Sequence, residues 1–293
     1  MRSAGTSAGS RGSPGMACGR ASSGVSERAP GRNPARVFLG VSALLFAACT
    51  AVTIVWCGSM SAMGGMPMPG GWTLSMAWMR MPGQTWPAAA ASFLGMWATM
   101  MVAMMLPSLA PILWRYREAV SGTDEARPCP TSLDRLTVLV GVGYIFVWTV
   151  FGMAVFPLGA ALATAEMEQP ALARSVPIAA GVVVLIAGAF QFTAWKAHYL
   201  ACWRETLGRS RTADAGMAWR QGLRLGLHCG RCCANLTTIL LVIGVMDLRA
   251  MAVVTAAMTV ERLAPAGERV ARAIGAVAVG AGLFLIARAA GLG

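Results

Sequence analysis

The chain has 293 residues, of which 56% are hydrophobic and only 12% are charged. A soluble domain carries about 25% charged residues, so the composition excludes an ordinary soluble enzyme and indicates a polytopic membrane protein. The net charge of +12 comes from arginines that lie between long apolar runs, which argues against nucleic-acid binding and for orientation in a lipid bilayer.

The predicted elements begin with a tail. Residues 1–35 are rich in Gly, Ser, Pro and Arg without apolar periodicity, which predicts a disordered basic tail. A single transmembrane helical domain then covers 36–293. Its first uncharged run is long enough to cross the hydrocarbon core, and a cleaved signal peptide is the alternative for that run. An outer loop follows at 58–86. The predicted spans are 37–57, 88–113, 136–158, 176–200, 224–246, 248–263 and 270–290.

The predicted spans give an all-α fold class, a transmembrane bundle of about seven spans, or six if the short sixth segment does not cross. The arginines orient these spans. With a cytoplasmic N-terminus, 18 arginines fall on the inner side and four on the outer side. Cytoplasmic loops retain positive charge, so we expect a multi-pass protein of the bacterial inner membrane.

Methionine is concentrated in two places. The outer loop holds seven, at Met60, Met63, Met66, Met68, Met76, Met79 and Met81. In the second span Met100 and Met104 are one turn apart, and Met101 and Met105 form a parallel row. Thioether sulfur is a soft ligand that suits Cu(I), and flexible packing is the alternative for both groups. The sequence leaves open a metal path lined by Met and a proline-kinked packing helix.

Cysteine and histidine gather where the fourth and fifth spans meet. His198 and Cys202 are one turn apart at the inner end of the fourth span, and a CxxCC motif opens the fifth. The short connection brings these helices together, and the sixth span carries Glu261 near the same side. We therefore predict one metal or redox site near the cytoplasmic face. Its candidate ligands are Cys229, Cys232, Cys233, His198, Cys202, His228, Met100, Met101, Met104, Met105 and Glu261.

A charged side chain lies inside the cysteine motif. Arg231 should favour the thiolate form of its neighbours, which helps metal binding and redox chemistry alike. Arg231, Arg262 and Lys196 are all candidates for an ion pair with Glu261, and the sequence does not choose among them.

Several motifs follow one another in order: residues 97–108 (WATMMVAMMLPS), Tyr144 with Trp148, residues 191–196, the CxxCC of 229–233, residues 244–247 and Glu261 with Arg262. Over about 88–290 they resemble the predicted metal-binding integral membrane family of bacteria. That family is a domain of unknown function, and some of its members are labelled copper chaperones. The resemblance implies a multi-helix membrane fold and metal binding at the cysteine motif.

One stretch departs from the family pattern. At the end of the fourth span the family has Lys-x-x-Cys-Leu-x-x-Cys-Arg, whereas this chain has Tyr199 and Trp203 at the two cysteine positions. His198 and Cys202 come one residue earlier in each case, which rotates a helical side chain by about 100°. Either the ligand set has been rebuilt or that half of the site has changed.

The leading functional hypothesis is soft-metal handling or transport, with Cu(I) as the expected metal and zinc as the alternative. The lipid bilayer is the expected environment, and a metallochaperone or a periplasmic protein is a candidate partner. The other hypotheses are a thiol–disulfide electron carrier and a non-catalytic membrane subunit of a larger complex. The chain lacks the P-loop, GxSxG, HExxH and dinucleotide motifs, so we do not expect an enzyme.

Overall fold

The computed structural model describes residues 33–81, 83–121, 130–205 and 214–291. The predicted tail lies outside these residues except for its last three positions. The fold is an all-α bundle with one small hairpin. Its helices are α1 (Pro34–Ala62), α2 (Trp86–Ser121), α3 (Pro130–Glu168), α4 (Pro170–Phe190), α5 (Ala194–Glu205), α6 (Ala215–Ile243), α7 (Leu248–Leu263) and α8 (Gly267–Ala289). The antiparallel hairpin pairs β1 (Met66–Met68) with β2 (Trp72–Leu74), and a single 3-10 turn follows at Met76–Trp78.

Six of the described helices are long and apolar enough to cross a membrane: α1, α2, α3, α4, α6 and α8. This confirms the predicted all-α bundle. In the most apolar window of α1 only 6% of residues are buried inside the protein, so almost the whole helix offers an apolar surface to its surroundings. The 16-residue α7 does not belong to this set.

Polar caps set where several helices begin. Asn33 accepts a hydrogen bond from the backbone at the start of α1, which has proline at its first position. Asp214 caps α6 in the same way. Asp247 accepts from two backbone amides at the start of α7, and this fixes the turn between α6 and α7.

The loop between α1 and α2 defines one end of the bundle, which we call the loop end. Its hairpin packs through Met68 and Leu74 against Ala163 of α3 and Ala173 of α4. The α6–α7 turn reaches the same end, because a methionine in it contacts the last turns of α1. The first residue of α1 therefore lies at the opposite end.

Helices α4 and α8 pack antiparallel through glycine. A Cβ on Gly181 would lie 3.0 Å from the carbonyl of Gly282, and one on Gly275 would lie 3.0 Å from the carbonyl of Gly188. Small residues at such positions let two helix backbones approach closely. Since α4 starts at the loop end, α8 finishes there, and the two described termini lie at opposite ends of the bundle.

Glycine also brings α3 and α6 together. A Cβ on Gly222 would lie 2.4 Å from the carbonyl oxygen of Val140, and one on Gly226 would lie 3.0 Å from that of Tyr144. The two glycines are four residues apart, which is the GxxxG spacing of tightly packed helices. This contact places the cysteine motif of α6 directly against α3.

The predicted fourth span, 176–200, differs from the structure. Helix α4 ends at Phe190, and three successive i to i−3 turns follow at residues 191–193. The Thr193 hydroxyl donates to the Phe190 carbonyl and accepts from the Lys196 amide, so it closes one helix and starts the next. Gln191 and Cys202 therefore do not share a continuous helix.

Candidate metal centre

Two cysteine sulfurs and one guanidinium form the centre of the bundle. Cys229 and Cys233 are one turn apart on the buried face of α6 and are 0% and 1% exposed. The Nη2 atom of Arg262 donates to the Cys229 sulfur at 2.9 Å and to the Cys233 sulfur at 2.6 Å. We call Cys229 and Cys233 the thiol pair. Both sulfurs therefore face the same donor atom.

The last turn of α7 holds this guanidinium in a closed pocket. The Nη1 atom of Arg262 donates to the Ser108 hydroxyl at 2.9 Å and lies 3.9 Å from the Met105 sulfur. The guanidinium carbon lies 4.2 Å from the centre of the Trp203 ring, a cation–π distance. Contacts from α2, α5 and α6 therefore fix one cation against the thiol pair.

A hydroxyl and a thioether complete the surroundings of Cys229. The phenol oxygen of Tyr144, which is 0% exposed, lies 2.7 Å from the Cys229 sulfur. The Met105 sulfur lies 3.9 Å from the same atom. Around Cys229 the centre thus offers the second thiol of the pair and one thioether beside a phenol and a guanidinium.

A second buried ion pair lies next to the thiol pair. Lys196 and Glu261 form a salt bridge and are 2% and 1% exposed. The lysine also donates to the Cys232 carbonyl at 2.7 Å, and Gln191 donates to the Glu261 carboxylate at 3.3 Å. Glu261 therefore neutralises a buried lysine and ties α7 to α5, and its role as a metal ligand stays a prediction.

The remaining cysteine of the motif is buried on the same face of α6. Cys232 is 1% exposed, and Lys196 binds its backbone carbonyl. In an α-helix a position three residues from Cys229 shares its side. Cys232 thus faces the α5 side of the centre and stays a predicted ligand.

The predicted ligands of α5 lie on another face. Lys196 and Trp203 form the buried side of that helix, whereas His198 is exposed. The Cys202 sulfur lies 3.5 Å from the His198 ring. Trp203, which stands where the resemblance implies a cysteine, covers Arg262 with its ring.

His228 points away from the thiol pair because it is one residue before Cys229 on a helix. Its ring lies 6.3 Å from that of Tyr199, between ring centres. Across residues 33–81, 83–121, 130–205 and 214–291, no group of three or more His, Cys, Asp or Glu side chains is arranged to hold a metal ion. The expected merging of both histidines and four cysteines into one centre does not occur there.

The four predicted methionines of α2 are all buried. Met105 contacts Cys229 and Arg262, as above, whereas Met100, Met101 and Met104 belong to the surrounding apolar core. A metal path and a packing helix therefore both remain as interpretations of these methionines, although Met105 has different neighbours from the other three.

The sequence pointed to the wrong arginine. Arg231 is exposed, and its guanidinium lies 6.0 Å from the Tyr199 ring. Arg262 serves the thiols instead, and Ser108 and Tyr144 were not recognised as contributors to the site. The sequence feature that could have identified Arg262 is its position at the end of a short apolar helix. A charge buried there is costly unless it has a function.

The side chains of the centre that could bind a metal are mainly sulfur. Structural zinc sites have four N, S or O ligands in a tetrahedron. Here the Cys233 side chain interacts with those of Cys229 and Cys232, and the Met105 thioether lies beside Cys229. Thiolate and thioether sulfur favour Cu(I). The nearby guanidinium can balance the negative charge that two thiolates bring into an apolar interior.

The family comparison agrees with this chemistry. A model described as "Copper chaperone" matches residues 94–285. The chain belongs to this copper chaperone family. The match runs from α2 to α8, so it contains the whole thiol centre and leaves out α1 and the methionine-rich loop. No curated protein and no solved structure matches the chain.

Proposed function

We propose that this protein is a multi-pass membrane protein that binds Cu(I) at the thiol pair, with Met105 as a third sulfur ligand. The observation that carries the proposal is the shared donor: one Arg262 nitrogen lies within hydrogen-bond distance of both thiol sulfurs. Membership of a copper chaperone family supports the choice of metal.

Charge balance explains the arginine. Cu(I) bound by two thiolates is an anion overall, and an unpaired charge is costly in an apolar interior. Arg262 is 4% exposed and supplies one positive charge next to both sulfurs. A sulfur ligand can accept a hydrogen bond while it binds a metal, as the cysteines of iron–sulfur clusters do. Arg262 therefore acts as the counter-cation of the Cu(I) complex and remains in place on binding.

The arginine distribution supports an orientation. With the first residue of α1 on the cytoplasmic side, the loop end faces outward, which agrees with the excess of arginine at the other end. The exposed Arg224 lies in the first half of α6, toward its cytoplasmic end. The thiol pair then belongs to the cytoplasmic half of the membrane, where a soluble metallochaperone is a suitable partner.

A Cu(I) titration of the purified full chain tests the proposal. The protein is kept reduced in detergent, and a chromogenic chelator competes for the metal. We expect C229S/C233S to lose the tightest equivalent, because serine is a poor ligand for Cu(I). C49S is the matched control, since Cys49 lies in α1, away from the centre. If C229S/C233S binds Cu(I) with the wild-type affinity and stoichiometry, the proposal is wrong.

The burial of the thiol pair favours metal binding over thiol–disulfide exchange. Exchange needs a thiolate that a partner disulfide can reach, and the thiol pair is 0% and 1% exposed. We therefore expect the folded, metal-free protein to react slowly with a maleimide at these two positions. Rapid labelling of both would favour the electron carrier instead. An unchanged association with other membrane proteins after loss of both cysteines, without any copper binding, would favour the non-catalytic subunit.

A further inference from the structure

A cavity of about 80 Å³ lies at the loop end of the bundle. Helices α1 and α2, the loop between them and the α6–α7 turn all contribute methionine to its wall: Met60, Met76, Met79, Met81, Met96 and Met246. These side chains are far apart in the sequence, so the fold itself assembles them. We propose that this methionine cavity is a second Cu(I) site, separate from the thiol pair.

The wall of the cavity is soft and uncharged. Among the lining residues that the structure describes, no carboxylate, amine, guanidinium or imidazole occurs, and the polar side chains are Gln84 and Ser92. Hard cations such as Mg²⁺ and Ca²⁺ need several oxygen ligands, so the cavity does not suit them. Thioether sulfur selects Cu(I). The aromatic rings of Trp56, Phe93 and Phe156 in the same wall are surfaces that attract a cation.

A buried thiol lies directly behind one of these methionines. The Cys57 sulfur is 3.7 Å from the Met246 sulfur, and Cys57 is 2% exposed. This contact connects α1 with the α6–α7 turn by sulfur alone. It adds a seventh soft atom beside the cavity and fixes Met246 at its wall.

Packing alone does not account for this arrangement. Methionine usually fills irregular gaps, whereas here six of them surround a space that stays open. The other methionines of the loop behave differently: Met63 and Met66 are 47% and 38% exposed, and Met68 is buried in the hairpin core. The loop thus divides into methionines that line the cavity and methionines that do not.

One wall of the cavity belongs to α2, the helix that also carries Met105. Met96 lies in its wall, and Met105, nine residues later on the same helix, contacts the thiol pair. At 1.5 Å per residue the two positions are about 14 Å apart along the helix. Four of the six cavity methionines precede residue 94, where the family match begins, so the family label does not include this site.

Cu(I) titration of the full chain in the C229S/C233S background tests the site without the thiol pair. We compare M76L/M79L/M81L, which removes three cavity sulfurs, with M63L/M66L, which removes two exposed sulfurs from the same loop. Leucine has nearly the same volume as methionine, so both sets should fold. Should the triple variant fail to fold, M246L replaces it.

The expected result is that the background protein binds one Cu(I), that M76L/M79L/M81L loses it, and that M63L/M66L keeps it. X-ray absorption of the bound copper should show sulfur ligands. Three results would each overturn the site. They are Cu(I) that stays bound in M76L/M79L/M81L, an equal loss of Cu(I) in both leucine variants, and no Cu(I) binding by the C229S/C233S background protein. If the C229S/C233S background protein binds as many equivalents of Cu(I) as wild type, only the thiol-pair proposal is contradicted. The two leucine variants still test whether the methionine cavity binds Cu(I).

Discussion

Replacement of Arg262 by glutamine should weaken Cu(I) binding strongly. The substitution keeps a polar side chain but removes the charge and both donations to the thiol pair. Hydrogen bonds to charged groups contribute about 1.5–3 kcal/mol each, and a buried charge that loses its partner costs about 3–5 kcal/mol. Because these two costs overlap, we expect a net loss of about 3 kcal/mol, which raises the Kd for Cu(I) roughly 100-fold.

R262K separates charge from geometry. Lysine keeps the positive charge but is a single point donor and cannot contact the thiol pair and Ser108 from one rigid fork. We therefore expect R262K to lie between the wild type and R262Q in its Kd. The thermal unfolding temperature of each metal-free variant shows whether the protein still folds.

R231Q is the matched control for this series. Arg231 is closer in sequence to the cysteines, but its guanidinium lies over the Tyr199 ring. Its removal should leave the Kd within about twofold of wild type, which corresponds to about 0.4 kcal/mol. Chelator competition in detergent measures all the variants under one condition. If R262Q binds Cu(I) as tightly as wild type, or if R231Q is equally weakened, the counter-cation argument is wrong.

Four further variants test the packing and the neighbours of the thiol pair. G222A should destabilise the protein by about 1–3 kcal/mol, seen in thermal unfolding, because its Cβ would lie 2.4 Å from a backbone carbonyl oxygen of α3. K196M should destabilise by about 3–5 kcal/mol by leaving Glu261 buried without its cation, and K196M/E261L should recover most of that loss. Y144F should raise the Kd for Cu(I) about fivefold, which corresponds to about 1 kcal/mol for one hydrogen bond.

A specific outcome would contradict each of these predictions. G230A is the control for G222A, since nothing lies within 4 Å of a Cβ built on Gly230, and equal destabilisation by both would show that the α3–α6 contact is not the cause. A double variant K196M/E261L as unstable as K196M would show that the unpaired carboxylate is not the source of the loss. An unchanged Kd in Y144F would remove the phenol from the site.

Helix positions could be predicted from the sequence because apolar length decides them. The predicted segments 37–57 and 248–263 correspond to α1 and α7. The bounds of α2 and α3 extend well beyond the apolar runs, since polar residues at a helix end do not stop it. The break at 191–193 was missed because it depends on a local hydroxyl contact of Thr193, in a sequence that also permits a helix.

The sequence could predict only the part of the site that lies on a single helix. The spacing of Cys229, Cys232 and Cys233 places them on one face of α6, and the structure buries all three. The cation was not predictable in this way. Arg231 is near in sequence but lies on another side of the helix, whereas Arg262 reaches the thiols only through the packing of α7 against α2 and α6.

The position of copper in the loaded protein tests the account most directly. Anomalous X-ray scattering at the copper edge, from crystals of the full chain loaded with one equivalent of Cu(I), locates the metal without reference to any variant. We expect the strongest copper peak between the sulfurs of Cys229 and Cys233, beside Met105 and with Arg262 still in contact. A strongest peak at His198 and Cys202, with none at the thiol pair, would contradict the account.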